Sequence, residues 1–368
     1  MNSRERRRYS RHLLIPQIGL AGQERLRASR VLVIGAGGLA SPALQYLAAA
    51  GVGRIGIVDD DVVDETNLQR QTIFAERDVG KRKAVAAALR LRDANSLVAV
   101  DEIPLRFDSE NARELVRLYD AVLDCTDNFA TRYLVNDACY LEHRPDVYGS
   151  IFRFDGQVSV FRGGDGPCYR CLFPSPPSLE RRPTCAEGGV LGALAGVVGA
   201  WQASEAIKIL LGVGEPLVGR LLLIDALAGR VREVRFAREA ECALCGDHPS
   251  IAGVRAALYE EAAIEQSGDD VEAGALDEAL RGARLLDVRE PHEAVLGSID
   301  GAVRIPATQL EARMHELDTA VAYVVACRVG VKSRWAIARL RDAGFTRIRH
   351  LRGGLLAYAA QHEEFEFF

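Results

Sequence analysis

The stretch Val31-Leu-Val-Ile-Gly35-Ala-Gly37-Gly38-Leu-Ala40 decides how this chain folds. Its apolar residues read as a buried strand, the glycines as a tight turn, and Ser41-Pro42 as the opening of a helix that Gly51 closes. Glycines let the backbone approach a phosphate closely, while the free N–H groups and the helix dipole favour the anion. A tight turn that merely needs small residues has the same signature, so the neighbours must decide. Arg54-Ile-Gly-Ile-Val58 reads as the next strand, and Asp59 at its end lies 24 residues beyond Gly35 (59 − 35). An acid at about that separation can hydrogen-bond ribose hydroxyls.

The residues that follow favour ATP over a dinucleotide. Arg70 and Lys83 supply fixed positive charge suited to a triphosphate, whose charge redistributes as pyrophosphate leaves. Ala121-Val-Leu-Asp124-Cys-Thr-Asp127-Asn128 is another apolar strand ending in carboxylates, where Mg²⁺ can bridge phosphate oxygens. Turn or helix capping is the plainer role for Asp124 and Asp127. A hydride-transfer site would be expected to offer a proton-transfer residue, most often His, and this half shows none in an obvious catalytic setting.

Apolar strands alternate with helical stretches at 31–34, 43–50, 54–58, 82–92, 98–103, 109–118 and 121–124. That alternation predicts an α/β fold, a doubly wound and mainly parallel sheet with helices on both faces. Gln157–Phe161 and Arg220–Phe236 add strands, the second broken by a turn over Ala226–Gly229. With 368 residues and 48% hydrophobic content, two packed domains are expected. A net charge of −5 gives no support for a nucleic-acid surface. Gly188–Trp201, 14 residues long and followed by Gln202, Glu205 and Lys208, reads as a buried helix too short to span a bilayer. The charged N-terminus is unlike a signal peptide. The expectation is a cytoplasmic protein that binds neither nucleic acid nor membrane. Its eight cysteines are then metal ligands, nucleophiles or core fillers rather than disulfides.

Six motifs occur in order: Arg8-Tyr-Ser-Arg11-His, Gly35-Ala-Gly-Gly, Asn67-Leu-Gln-Arg70-Gln, Asp124-Cys-Thr-Asp127-Asn128, Tyr148-Gly-Ser and Cys168-Tyr-Arg-Cys171. Together they resemble the MoeB/ThiF family, relatives of the ubiquitin-activating enzymes, over residues 1–247. The resemblance implies adenylation of the C-terminal Gly-Gly carboxylate of a ubiquitin-like sulfur-carrier protein. It implies that Gly35, Gly37 and Gly38 cradle the nucleotide and that Asp59 holds the ribose. Asn67, Arg70 and Lys83 would contact the phosphates, with Asp127 placing magnesium and Asn128 beside it. Arg11 would reach into the site of a second subunit, so a homodimer is implied. Ala40 stands where the family commonly has a third glycine, and alanine is accepted there in the general fingerprint.

The cysteines divide by context. Cys168-x-x-Cys171 and Cys242-x-x-Cys245 can give four thiolates in a closed tetrahedral zinc site, with a redox pair as the alternative. Their separation exceeds that of a compact zinc ribbon, so the fold must bring the second pair back to the first. The family carries a structural zinc at these positions. Cys185, in Pro183-Thr-Cys185-Ala-Glu-Gly-Gly, is a loop thiol that could take an acyl group or attack a persulfide, or an incidental small residue. Cys125 and Cys139 lie in apolar periodic segments and read as core.

Cys327 is different. A buried-type strand, Ala322–Ala326, runs into Cys327-Arg-Val-Gly330-Val-Lys332-Ser333 and then a helix over Arg334–Ala343. Backbone N–H groups, a helix N-terminus and the charges of Arg328 and Lys332 would all favour a thiolate or a bound persulfide. A phosphatase loop needs Cys-x5-Arg, and that position is Ser333. With Leu285-Leu-Asp287-Val-Arg289-Glu290, Gly297–Pro306 and Leu351-Arg-Gly353-Gly354, the tail at 272–368 resembles a rhodanese, a small α/β sulfurtransferase domain. Ser298 stands where His is common in that family. Residues 248–271 read as a polar linker with a short helical patch.

Taken together, these expectations describe an adenylyltransferase and sulfurtransferase. Cys327, loaded as a persulfide by an upstream donor such as a cysteine desulfurase, would convert the activated carboxylate into a thiocarboxylate. Molybdopterin synthesis is the expected pathway, with thiamine, cysteine and tRNA thiolation as alternatives. A nicotinamide oxidoreductase and a non-catalytic scaffold are the rivals from other classes.

Overall fold

The computed structural model describes residues 1–164, 166–176, 188–259, 270–295 and 297–362. They form two compact units, one from the described residues up to 259 and one from 270 to 362.

The first unit is built on eight strands: β1 Arg30–Ile34, β2 Arg54–Val58, β3 Ala99–Ile103, β4 Ala121–Asp124, β5 Pro145–Phe152, β6 Asp155–Arg162, β7 Arg220–Asp225 and β8 Arg230–Arg235. They lie in the order β3-β2-β1-β4-β5-β6-β7-β8. The first five pair in parallel and the last three antiparallel. Strand order reverses between β1 and β4, which opens a crevice beyond their C-terminal ends. One face of the sheet packs on the helices Ala40–Ala50, Lys83–Ala94 and Gly192–Leu211, and the other on Ala112–Arg117 and Phe129–Leu141. The doubly wound expectation is met, and the antiparallel extension makes the sheet mainly rather than wholly parallel.

Two helices depart from expectation for identifiable reasons. Residues 109–111 stay out of the helix at 112–117 because the Asp108 side chain accepts from the N–H groups of Glu110 and Asn111, holding a turn. The buried helix begins at Gly192 and runs 20 residues to Leu211, so length alone does not rule out a span. Its polar residues are satisfied inside the protein. Gln202 donates to the carbonyls of Asp124 and Val147, and Glu205 accepts from Leu217 N–H and pairs with Lys208. Gly199 packs so closely that an added Cβ would lie 2.0 Å from Leu39 O. It is a core helix.

Part of the polar stretch after Gly246 is anchored to this unit. Ile251 is buried with the paired cysteines, and Tyr259 Oη donates to Asp137 at 2.8 Å.

The second unit holds β9 Asp270–Val271, β10 Arg284–Asp287, β11 Val303–Arg304, β12 Tyr323–Ala326 and β13 Ile348–Leu351. All are parallel, in the order β11-β10-β12-β13-β9. Val324 and Val325 at the centre of β12 are fully buried on opposite faces, in separate core clusters. β12 therefore fixes where its next residue, Cys327, must lie. The following helix starts at Val331, earlier than expected, because Gly330 at φ +95° caps it.

Candidate active sites and the four-cysteine centre

The glycine loop occupies the crevice between β1 and β4. Gly35 N–H donates to Val58 O and Cys125 N–H to Ile34 O, tying the three strand ends together. Gly35 has φ +85°, and a Cβ there would lie 2.9 Å from Cys125 O, so only glycine fits. A Cβ on Gly38 would meet Ala195 Cβ at 3.2 Å and Arg70 Cγ at 3.4 Å. The segment carrying Asn67 and Arg70 therefore closes over the loop together with the start of the long helix.

Asp59 stands at this loop, as its spacing predicts. One carboxylate oxygen accepts from Ala36 N–H at 2.7 Å and the other from Asp61 N–H at 2.9 Å. Burial nevertheless raises its pKa, against the lowering effect of those bonds and of Lys83. Lys83 is buried, and its ammonium lies 2.9 Å from the exposed carboxylate of Asp61. Arg70 donates to Thr66 O at 3.1 Å, and Asn67 Nδ2 lies 3.4 Å from Thr66 Oγ1.

At the end of β4, the acids separate in role. Asp124 is fully buried, accepts from Thr126 N–H and Oγ1, and lies 3.7 Å from the Arg132 guanidinium. Burial raises its pKa, opposed first by Arg132. The capping role weighed for Asp124 is the observed one. Asp127 is exposed at the same edge. Asn128 caps the helix Phe129–Leu141, its side chain accepting from Thr131 N–H at 2.8 Å, a structural contact the resemblance did not suggest. Arg11 is exposed on the short helix Ser10–Leu13. Sequence reasoning passed over Gln71, although it belongs to the quoted Asn67–Gln71 motif. It is buried, its Oε1 has no hydrogen-bond partner, and its Nε2 would lie 3.8 Å from a Cβ placed on Gly37. An unpaired amide oxygen at such a loop suits a site built to receive a polar ligand.

Cys168, Cys171, Cys242 and Cys245 come together, all buried, with every Sγ within 4.8 Å of the others. The Sγ pairs 168–171, 168–242 and 171–245 are 3.9, 3.6 and 3.2 Å apart. Thiolates placed tetrahedrally at about 2.3 Å from zinc lie about 3.8 Å apart, close to two of these spacings. Burial raises the pKa of Cys168 and pushes that of Cys245 up to about 12, so a bound cation is what would draw out their protons. Glu239 N–H donates to Cys171 Sγ, supporting the cluster from outside. The donor set suits a closed structural zinc site, without the open position that catalysis needs. Cys125 and Cys139 are buried in the core with raised pKa values, caused first by desolvation. Cys185 lies outside the described residues.

In the second unit the loop after β12 wraps Cys327. Gly330 N–H donates to its sulfur at 3.1 Å, and Ser333 Oγ lies 3.5 Å away. Leu355 N–H donates to Cys327 O, and Leu356 N–H to Arg328 O. Gly354 must be glycine, since a Cβ would sit 2.5 Å from both carbonyls. Lys332 does not add free charge as expected: its ammonium pairs at 2.8 Å with the buried Glu293. Arg334, the arginine one place too late for a phosphatase, donates to Asp270 at 2.8 Å.

The ThiF family profile matches residues 9–244 and the rhodanese-like domain profile residues 272–361. The chain is 46% identical over 369 residues to the probable adenylyltransferase/sulfurtransferase MoeZ of Mycobacterium tuberculosis, covering 96% of this chain and 93% of that protein. It is 41% identical to the bovine (Bos taurus) adenylyltransferase and sulfurtransferase MOCS3, covering 98% and 87% of the two chains. Over 66% of this chain and 92% of the relative, it is 53% identical to the sulfur carrier protein adenylyltransferase of Thermus thermophilus. Among solved structures, E. coli MccB with ATP matches at a TM-score of 0.56 and 25% identity, over 65% of this chain and 74% of that one. With a nucleotide-type loop in one unit and a cradled cysteine in the other, the chain belongs to the ThiF family, carries a rhodanese-like domain, and is an adenylyltransferase and sulfurtransferase of the MoeZ and MOCS3 type.

Proposed function

We propose that the chain adenylates the C-terminal Gly-Gly carboxylate of a ubiquitin-like sulfur-carrier protein and then converts it to a thiocarboxylate. What supports this reading is one observation: the same chain holds a triphosphate-type crevice and a sulfur held by a backbone N–H.

In the first step a carboxylate oxygen attacks the α-phosphorus of ATP and pyrophosphate departs. Gly35, Gly37 and Gly38 keep the backbone low enough for phosphate to approach, and Asp59 turns from the loop N–H groups to the ribose hydroxyls. Asn67, Arg70 and Lys83 stabilise charge on the phosphates, Lys83 exchanging Asp61 for a phosphate oxygen. Arg11 serves the site of a second copy in a homodimer. Magnesium, held by Asp127, would neutralise phosphate charge. Asn128 positions Asp127 by fixing the start of the helix behind it.

The second step uses a Cys327 persulfide, loaded by an upstream donor such as a cysteine desulfurase. Its terminal sulfur attacks the acyl carbon, within the chain or from a second copy, and AMP leaves with the bonding pair. The product is an acyl disulfide on Cys327. Cys185 then attacks the Cys327 sulfur, releasing the thiocarboxylate and leaving a Cys185–Cys327 disulfide that a cellular dithiol reduces. The pathway proposed is molybdopterin synthesis in the cytoplasm. Carriers for thiamine, cysteine and tRNA thiolation are the comparison arms of its test.

ATP–pyrophosphate exchange tests the first step. Exchange should require a Gly-Gly carrier and vanish in Asp127→Ala. Exchange without a carrier, or full exchange in the variant, contradicts the proposal. Panels of candidate carriers, read by the mass gain from carboxylate to thiocarboxylate, assign the pathway.

A further inference from the structure

Gly330 gives the Cys327 sulfur its backbone N–H, and its own carbonyl is doubly held. Ser333 Oγ donates to it at 3.1 Å and His350 Nε2 at 3.0 Å. A carbonyl has two lone pairs, so both are taken. The three bonds fix a residue whose φ of +95° only glycine adopts easily, with the His350 ring so close that a Cβ on Gly330 would stand 3.3 Å from Nε2.

His350 is not a general core residue. It is buried on β13, opposite Val325 of the strand that delivers Cys327. On its other side β9 places Asp270 directly across from it. His350 Nδ1 faces Asp270 Oδ1 at 3.5 Å, and Asp270 Oδ2 accepts from Arg334 at 2.8 Å. A carbonyl can only accept, so Nε2 must carry the proton. Burial first and Arg334 second lower the imidazole pKa, consistent with a neutral ring donating through Nε2. The hydrogen bonds run from His350 through Gly330 to the reacting sulfur of Cys327, with the Asp270–Arg334 pair beside the unprotonated Nδ1.

We infer that His350 is a positioning residue for sulfur transfer: its Nε2–H anchors the Gly330 carbonyl and thereby aims the Gly330 N–H at the sulfur of Cys327. The inference rests on Cys327 being the sulfur carrier. When a nucleophile such as cyanide attacks the outer sulfur, the Cys327 sulfur leaves with the bonding pair as a thiolate, and a fixed N–H stabilises that charge without reorganising. Loss of the anchor lets the loop turn its N–H away. The effect falls on the transfer step rather than on donor binding.

The test measures thiosulfate-to-cyanide sulfur transfer by the full-length protein. Cys327→Ser must be inactive; activity there would overturn the underlying assignment of the carrier, separately from the role of His350. His350→Phe keeps a ring without a donor, and His350→Asn keeps an amide whose N–H is too short to reach. Both should lower kcat about five- to tenfold, the scale of one hydrogen bond, with KM for thiosulfate within about twofold. His350→Gln, whose Nε2 reaches the same point, should restore kcat to within about twofold of the parent. Should His350→Phe fail to fold, the contrast between Asn and Gln decides alone. Equal kcat in Asn and Gln, whether both normal or both reduced, overturns the inference, as does a loss confined to KM.

Discussion

Two loops at the C-terminal edges of parallel strands are built in opposite ways. The Gly35–Gly38 loop is bare, and its charged partners come from afar: Asp59 from the end of β2, Arg70 from a closing segment, Lys83 from the first turn of a helix. The Cys327 loop supplies its sulfur with a partner from its own backbone, the N–H three residues on. Under the proposed function the first would admit a large, movable ligand, which suits a Lys83 paired only with the exposed Asp61. The second would serve a single sulfur that stays on the chain, which suits a tight cradle. Lys332 shows the difference: its charge goes to the buried Glu293 rather than remaining free for a ligand.

The comparison breaks most directly by cross-inactivation. Cys327→Ala should abolish thiocarboxylate formation while leaving ATP–pyrophosphate exchange within about twofold, because no charge at the crevice is altered. Lys83→Ala should lower exchange by about 10²–10³-fold, the scale of losing one preorganised charge, and leave thiosulfate sulfur transfer intact. A variant that damages both assays equally would show that the sites are not separable.

Stripping zinc with a chelator comes next. Four buried thiols with no cation lose a structural centre worth several kcal/mol or more. The first unit should unfold at lower temperature in calorimetry and lose exchange, with thiosulfate transfer preserved. Zinc content of about one per chain before treatment, by elemental analysis, is part of the same expectation.

A smaller effect belongs to Gly35→Ala. At φ +85° and 2.9 Å from Cys125 O, alanine brings both strain and overlap, about 1–3 kcal/mol by thermal or denaturant unfolding. The smallest is a pH effect on the second unit. His350 has a pKa below the ordinary imidazole value, so between the two values the unfolded chain binds a proton that the folded one refuses. The stability it contributes is complete above about pH 6.5 and is lost as pH falls toward the depressed value. His350→Gln should flatten this acid limb in denaturant titrations at pH 5 and pH 7.5.

How much of this was legible in the sequence follows the range of the interactions. Glycine spacing, the Asp59 offset and Cys327 next to an apolar strand are local patterns, and the sheet turned each into the expected placement. The paired cysteines were legible as chemistry but not as geometry, since only the fold carries Cys242 back to Cys168. Long-range pairing was hidden. Nothing near His350 signals that β13 will set it against Gly330, and nothing near Lys332 announces Glu293. The long helix misled for the opposite reason: Gln202 and Glu205 read as polar stops, yet Gln202 bonds to carbonyls of β4 and β5 and Glu205 to Leu217 N–H within the protein.

The central claim is that the two sites act in series on one carboxylate. The direct measurement combines full-length protein, ATP, a Gly-Gly carrier and a persulfide donor, and follows AMP and carrier mass together. One thiocarboxylate should form per AMP released, whereas Cys327→Ala should release pyrophosphate but stop at the acyl-adenylate, with neither AMP turnover nor thiocarboxylate. Undiminished thiocarboxylate from Cys327→Ala, or thiocarboxylate without AMP, would contradict the claim.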